Sequence, residues 1–215
     1  MARAQLRRQQ IDDTTDALLQ ATRALVAEGG WPAAQITAIA ARAGVATGSV
    51  YRYFDSKADL CVQVLAQVSE REAEVVAAII DGGGDPAVRL RDAVAGFVRR
   101  AAREPRLAYA LIAEPCEAAI DAARLRYRDA LAGHFARLID EGRRRGAFAD
   151  LPADLASTCL VGAMMEPLIR PLARAAPPHS AELERFAQHV ATACLNMVRK
   201  AEAGRDTGED GGSER

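Results

Sequence analysis

Apolar residues recur along this chain at helical spacing, with polar positions between them. Over 10–28, Ile11, Leu18, Ala21 and Leu25 share one face. Asp12, Asp13 and Asp16 sit in the opening turns, where a helix dipole favours anions. Gly29 and Gly30 stop this helix, and Trp31-Pro32 lead out of it. A second helix begins near Ile36, and a third short one carries Val50, Tyr53 and Phe54 inward. A long helix follows over 57–80, with Leu60, Val64, Val68, Val75 and Ile79 on its apolar face. Three glycines at 82–84 end it, and Asp85-Pro86 is a strong restart, an aspartate cap followed by proline in the first turn. That helix reaches about residue 103, with Leu90, Val94, Phe97 and Val98 inward. Pro105 opens a short helix to 112, Pro115 breaks the chain, and a long helix covers 117–145 around Leu131, Phe135, Leu138 and Ile139. The helix from 152 carries no charge over 155–165, and Pro167 and Pro171 are expected to kink or end it. A last helix over 180–203 has its seam at Leu183, Phe186, Val190, Cys194 and Met197. No run reads as a strand of any length, so the fold class is all-α.

The stretch ITAIAARAGVATGSVYRYFDSK, residues 36–57, is the one that points to a function. Ile39, Ala40 and Ala43 lie on one side of its first helix, and Ala40 is small enough to let another helix cross closely. Gly44 stands where a helix end commonly needs a left-handed backbone. Val50, Tyr53 and Phe54 give the next helix an apolar side, and two helices joined by so short a turn must cross steeply. The other side of the second helix is polar and rich in hydroxyls: Thr47, Ser49, Tyr51 and Arg52, with Gly48 among them and Lys57 just beyond. This is a helix-turn-helix whose second element is sized for a major groove.

The run IAARAGVATGSVYRYFDSKADL resembles the DNA-binding signature of the TetR family of bacterial transcriptional regulators. The Gly-Val pair, the Ser-Val-Tyr-Arg-Tyr-Phe run and the following Ser-Lys-Ala-Asp-Leu carry the resemblance, which covers about the first 70 residues. Ala46 departs from it where the family usually has a capping serine, and Gln35 where a threonine is common. A missing cap costs about 0.5–2 kcal/mol of local stability. The resemblance implies a three-helix DNA-binding domain over 10–56 behind a flexible basic arm at 1–9. It also implies a helical ligand-binding and dimerisation domain over 57–203, and a disordered glycine-rich, acidic tail follows at 204–215. Thr47, Ser49 and Arg52 are then expected at base edges, Tyr51, Tyr53 and Lys57 at phosphates, and Gly48 within the same DNA-binding face.

Charge sharpens this picture. The net charge is −1, so a DNA-binding face must gather its cations locally. Arg3, Arg7 and Arg8 precede the first helix, and Arg42, Arg52 and Lys57 flank the second element; these six are the expected phosphate contacts. Arg143, Arg144 and Arg145 are better explained by the helix end they occupy. Trp31 reads as a packing anchor ahead of a stacking residue. Cys61, Cys116, Cys159 and Cys194 form no paired spacing and read as free thiols of a reducing cytoplasm. His134, His179 and His189 show neither metal spacing nor a nucleophile motif, so no catalysis and no cofactor are expected. The opening residues are polar, unlike a signal peptide, and 155–165 falls short of the about 20 residues a membrane span needs.

Family members resembling this chain pair through their last two helices. The uncharged helix and the 183–197 seam accordingly predict a homodimer through 152–173 and 180–200, reading palindromic double-stranded DNA. The family also places a small-molecule pocket in the second domain. Its candidate lining is Phe97, Tyr109, Glu114, Cys116, Tyr127, Phe135, Cys159, Met164, Met165 and Glu166, with the effector unidentified. Methionines and aromatics at this spacing are more often ordinary core, and Glu166 has Arg170 one turn away as a ready partner. The reading is a repressor released by a small molecule. The alternatives are control by a protein partner, activation in place of repression, or a helical scaffold that binds no DNA.

Overall fold

The computed structural model describes residues 2–174 and 180–200. The predicted tail, His179 and the side chains of Arg3 and Arg7 lie outside that description. Among the described residues the chain forms eight α-helices and two short 3-10 segments. The N-terminal head consists of α1 (Ala2–Gly29), a 3-10 turn at Trp31–Ala33, α2 (Ile36–Ala43) and a 3-10 recognition helix (Thr47–Arg52). The body comprises α3 (Lys57–Ile80), α4 (Pro86–Ala101), α5 (Pro105–Ile112), α6 (Ala118–Arg144), α7 (Ala153–Ala173) and α8 (Ser180–Val198). None of these helices is long and apolar enough to cross a membrane.

Two apolar cores organise the chain. One fills the head with Leu18, Trp31, Ile39, Ala40, Val50, Phe54 and Leu60, and continues into Leu107 and Ala110 of α5 and Ile120 of α6. The other fills the body around Leu90, Phe97, Leu131, Phe135, Leu160, Met164 and Cys194. Head and body are therefore joined through α5 and the start of α6, and α3 runs from the head core (Leu60, Val64) to the body core (Val76, Ile80).

Capping chemistry sets several boundaries. Ser56 accepts from the Asp59 N–H at the start of α3, and Asp85 from the Ala87 N–H at the start of α4. Gly44 adopts φ 70° and ψ 28°, the left-handed conformation that closes α2.

The structure corrects four expectations. Residues 2–9 are not an arm: α1 begins at Ala2. The stretch ARAQLRRQ contains only residues with good helix propensity and no breaker, so its arginines extend a helix they were expected to precede. Pro167 and Pro171 lie inside α7, which continues to Ala173. The last helix stops at Val198, where Arg199 bridges to Phe148 in place of continuing to 203. The α8 seam faces its own protomer: Ala187, Val190, Ala191, Cys194 and Val198 are buried in the body core, leaving Met197 the exposed member.

Candidate nucleic-acid interface and cavity

The recognition helix is presented by buried residues beneath it. Val50 and Phe54 are buried in the head core, and the Val45 N–H bonds the Ala40 carbonyl at 3.0 Å, which holds the turn. The polar side then faces out. Thr47, Gly48, Tyr51 and Arg52 are exposed, Tyr51 at 58%, while Ser49 and Tyr53 are half-buried. Ala46 occupies the N-cap with an extended backbone and no side-chain cap, so the first turn rests on the Ser49 N–H bonding the Ala46 carbonyl at 2.8 Å. The element winds as a 3-10 helix, tighter than the α-helix that the spacing suggests, and the apolar anchors at Val50 and Phe54 survive the change.

The cations around it are not equally free. Arg42 forms a two-pronged ion pair with Glu28 of α1, at 2.6 and 2.9 Å. The pair raises the guanidinium pKa and lowers that of Glu28, in both cases chiefly through their hydrogen bond. Lys57 Nζ lies 3.1 Å from Glu117 Oε1, on the body. Arg8 and Arg52 are exposed and carry no ion pair among the described residues. The basic face visible in the sequence is thus half-neutralised by carboxylates brought to it from other elements, which sequence position could not show.

A second site lies between α3, α4, α5 and α6: a cavity of about 240 Å³. Val68, Phe97, Ala101, Leu107, Leu111 and Ile112 give it apolar walls. Ser69, Glu72, Arg100 and Tyr127 add polar groups, and the exposed side chains of Arg23, Arg103 and Glu104 line its outer part. Arg100 Nε donates to Glu72 Oε2 at 2.7 Å. Burial first, then the charge of Glu72, pushes the Tyr127 phenol up, keeping it protonated.

Of the ten candidate lining residues, only Phe97 and Tyr127 reach this cavity. Phe135, Met164 and Met165 are interior body core. Tyr109 stacks under the Arg106 guanidinium, 5.5 Å from its ring centroid. Glu114 is buried against the head, where it pairs with Arg106 and accepts from the Trp31 N–H at 2.8 Å. Cys116 Sγ accepts from Arg124 at 3.4 Å. Cys159 is exposed on α7 beside Leu155 and Met197, away from the cavity. Glu166 is exposed, as is Arg170, and the two form no ion pair among the described residues. Sequence reasoning missed Ser69, Glu72 and Arg100. The signal was present as polar residues on the helix faces that also carry Val68 and Phe97, but it required knowing which helices pack together.

Helix α5 connects the two sites. One side lines the cavity with Leu107, Ala108, Leu111 and Ile112. The other holds the head: Arg106 Nη2 donates to the Gly29 carbonyl at 3.0 Å, and Trp31 Nε1 to the Ala110 carbonyl at 2.9 Å. Glu104, which precedes α5, takes both of its oxygens to Arg23 Nη2 at 2.7 Å. Trp31 is therefore a buried anchor, as its position after the two glycines suggested. Gly30 at φ 72° lets the chain pass so close to α5 that a Cβ there would collide with the Arg106 guanidinium and the Glu114 carboxylate.

Comparison with known proteins places this arrangement. Residues 18–64 match the bacterial regulatory proteins of the tetR family. The transcriptional repressor KstR of Mycolicibacterium smegmatis is 41% identical over 95 residues, which are 44% of this chain and 46% of that protein. The match thus spans just under half the length of that curated relative. The fatty acid degradation regulator FadR from Bacillus halodurans shares the fold at TM-score 0.73 and 22% identity, over 85% of this chain and 94% of that one. FadR from Bacillus subtilis, solved in complex with stearoyl-CoA, does so at 0.72 and 18%, over 85% and 98%. The head over 18–64 thus resembles the tetR-family regulatory proteins in sequence, and the chain as described shares the fold of these solved regulators.

Proposed function

We propose that this chain is a dimeric transcriptional repressor that reads a palindromic operator with residues 47–53 and leaves it when a small molecule fills the cavity beneath α5. The observation that carries this reading is the double duty of α5, whose two sides line the cavity and grip the head. A molecule that displaces Leu107 or Leu111 must shift the helix on which Trp31 and Arg106 are fastened. Ligand and DNA affinities are then coupled, each lowering the other by the same factor. That KstR is a repressor and that a FadR of the same fold holds stearoyl-CoA support the two halves of this reading.

One recognition helix meets few bases, whereas two fixed at a spacing of about 34–36 Å, or a multiple of it, read two half-sites at once. The outward faces of α7 and α8 are proposed as the two-fold seam. On α7 the exposed stripe is Leu155, Cys159, Gly162 and Glu166, and α8 adds Ala193 and Met197. Leu155 is 61% exposed and Met197 41%, apolar surface that a partner would cover. Within the head, Thr47, Ser49 and Arg52 are assigned to base edges, on a face that includes Gly48. Tyr51, Tyr53, Lys57, Arg42, Arg7 and Arg8 are assigned to phosphates. The double variant Tyr51→Phe/Lys57→Ala tests the assignment by fluorescence anisotropy on labelled duplexes. Affinity should fall on every sequence and its salt dependence should flatten. Unchanged affinity and slope would refute it.

A further inference from the structure

The rim of the cavity gathers cations that its apolar walls do not call for. The lining holds three arginines, Arg23, Arg100 and Arg103, against two glutamates, Glu72 and Glu104. Farther in, Arg100 and Glu72 are half-buried and match each other at 2.7 Å. At the rim Arg23, Arg103 and Glu104 are all exposed. Arg23 spends one nitrogen on Glu104, its Nη2 donating to both carboxylate oxygens at 2.7 Å. Its Nε and Nη1 make no bond to the protein among the described residues, and the Arg103 guanidinium makes none at all. The rim therefore carries one positive charge in excess, and open guanidinium donors stand beside an apolar cavity.

Resting on the reading of this cavity as the effector site, we propose that the rim is a carboxylate subsite divided between body and head, for an effector with an apolar body and one carboxylate end. Val68, Phe97, Leu107 and Ile112 take the body, while Arg103 and the open side of Arg23 take the carboxylate. A guanidinium presents paired N–H groups in the geometry that a carboxylate accepts. A cationic end would meet the excess positive charge, and a neutral end leaves that charge unused. Glu104 is then the effector's rival, because two carboxylates on one guanidinium repel each other. The rivalry reaches the head. Arg23 belongs to α1 and is the one head residue in the lining, and Glu104 immediately precedes α5. An exposed pair of this kind holds weakly, so the incoming carboxylate exchanges for Glu104 and releases one contact between head and body.

Three probes with the same cyclohexyl body test this on the full chain by isothermal calorimetry at low salt: 4-cyclohexylbutanoate, 4-cyclohexylbutanamide and 4-cyclohexylbutylamine. The carboxylate should bind at least about fivefold more tightly than the amide, and the preference should shrink as salt rises. The amine should bind least tightly. Equal affinity for carboxylate and amide overturns the subsite and leaves the cavity standing, and tighter binding of the amine overturns the sign of the rim. Binding of none of the three removes the effector cavity itself. The double variant Arg23→Gln/Arg103→Gln should bring carboxylate and amide to within about twofold of each other; a preference that survives there places the carboxylate elsewhere. Glu104→Gln should raise the affinity for the carboxylate more than that for the amide, by about two- to fivefold. A carboxylate preference that Glu104→Gln leaves unaltered overturns the exchange at Arg23. All three substitutions fall on exposed side chains, and the probe comparison on the unaltered chain decides the chemistry without them.

Discussion

Replacing Glu117 by Gln should strengthen DNA binding, although Glu117 belongs to the body and is assigned no DNA contact. Glu117 holds Lys57, the proposed phosphate ligand, at 3.1 Å, with side chains 52% and 32% exposed. A partly exposed pair of this kind contributes about 0.2–1 kcal/mol. DNA must displace Glu117 before Lys57 can reach a phosphate, so the pair opposes binding once per head. Two heads give about 0.4–2 kcal/mol, or about 2- to 30-fold in affinity. The Glu117 side chain makes no capping bond at the start of α6, so the amide leaves that helix end intact. The assay needs no known operator, because phosphate contacts are indifferent to sequence: anisotropy on any labelled duplex across a salt series suffices. Removal of a negative charge near DNA would also help by long-range attraction, and a double-mutant cycle separates the two effects. In a Lys57→Ala background, Glu117→Gln should lose most of its gain, and Lys57→Ala alone should lower the salt slope by about 0.9 per head. A gain that persists in full in the Lys57→Ala background would refute the competition between carboxylate and phosphate.

Three further outcomes follow from named contacts. Gly30→Ala should lower stability by more than about 2 kcal/mol, since it strains a φ of 72° and forces Arg106 from Glu114; thermal melting within a degree of the parent would contradict the account of the head–body junction. Ala46→Ser supplies the missing cap and should add about 0.5–2 kcal/mol to the recognition helix; amide exchange over 47–52 should slow, and unaltered exchange would show that the backbone turn at Ala46 suffices. Glu184 is held down to about 2, chiefly by its hydrogen bond from Arg99 and then by Gln188. Its folded pKa lies below the ordinary carboxylate value, so its stabilising contribution is present above that value and is lost as pH falls through about 2. Arg99→Ala should return the Glu184 NMR titration to the ordinary range, and a midpoint still near 2 would refute the assigned cause.

The helix-turn-helix was legible because its information is local. Gly44, Ala40 and the triplet Val50, Tyr53, Phe54 act within a few residues of one another, and each holds the place its spacing predicts. Helix boundaries marked by Gly and Pro were legible for the same reason, as at Asp85 and Pro105. What the sequence hid depends on distant partners. Glu28 and Glu117 quench cations that look free in isolation. The α8 seam is a good helix seam, but periodicity does not say whether a face meets the same protomer or another, and here α4 and α7 of the same chain cover it. Glu114 looked like a pocket carboxylate, and its partners lie 83 residues back, at Trp31, and one α5 length away, at Arg106. The cavity eluded residue-type reasoning because bulky aromatics mark a core as readily as a pocket. Its distinguishing members, Glu72 and Arg100, are charged residues that alone resemble solvated surface.

The central claim is that two copies of the 36–57 element, held in register by the body, read specific DNA. Selection of duplexes from a random library by the full chain tests it most directly. The account predicts enrichment of an inverted repeat whose half-sites are spaced by about one helical turn or a multiple of it. Recovery of duplexes with no shared motif, or of a single half-site without its inverted twin, would contradict it.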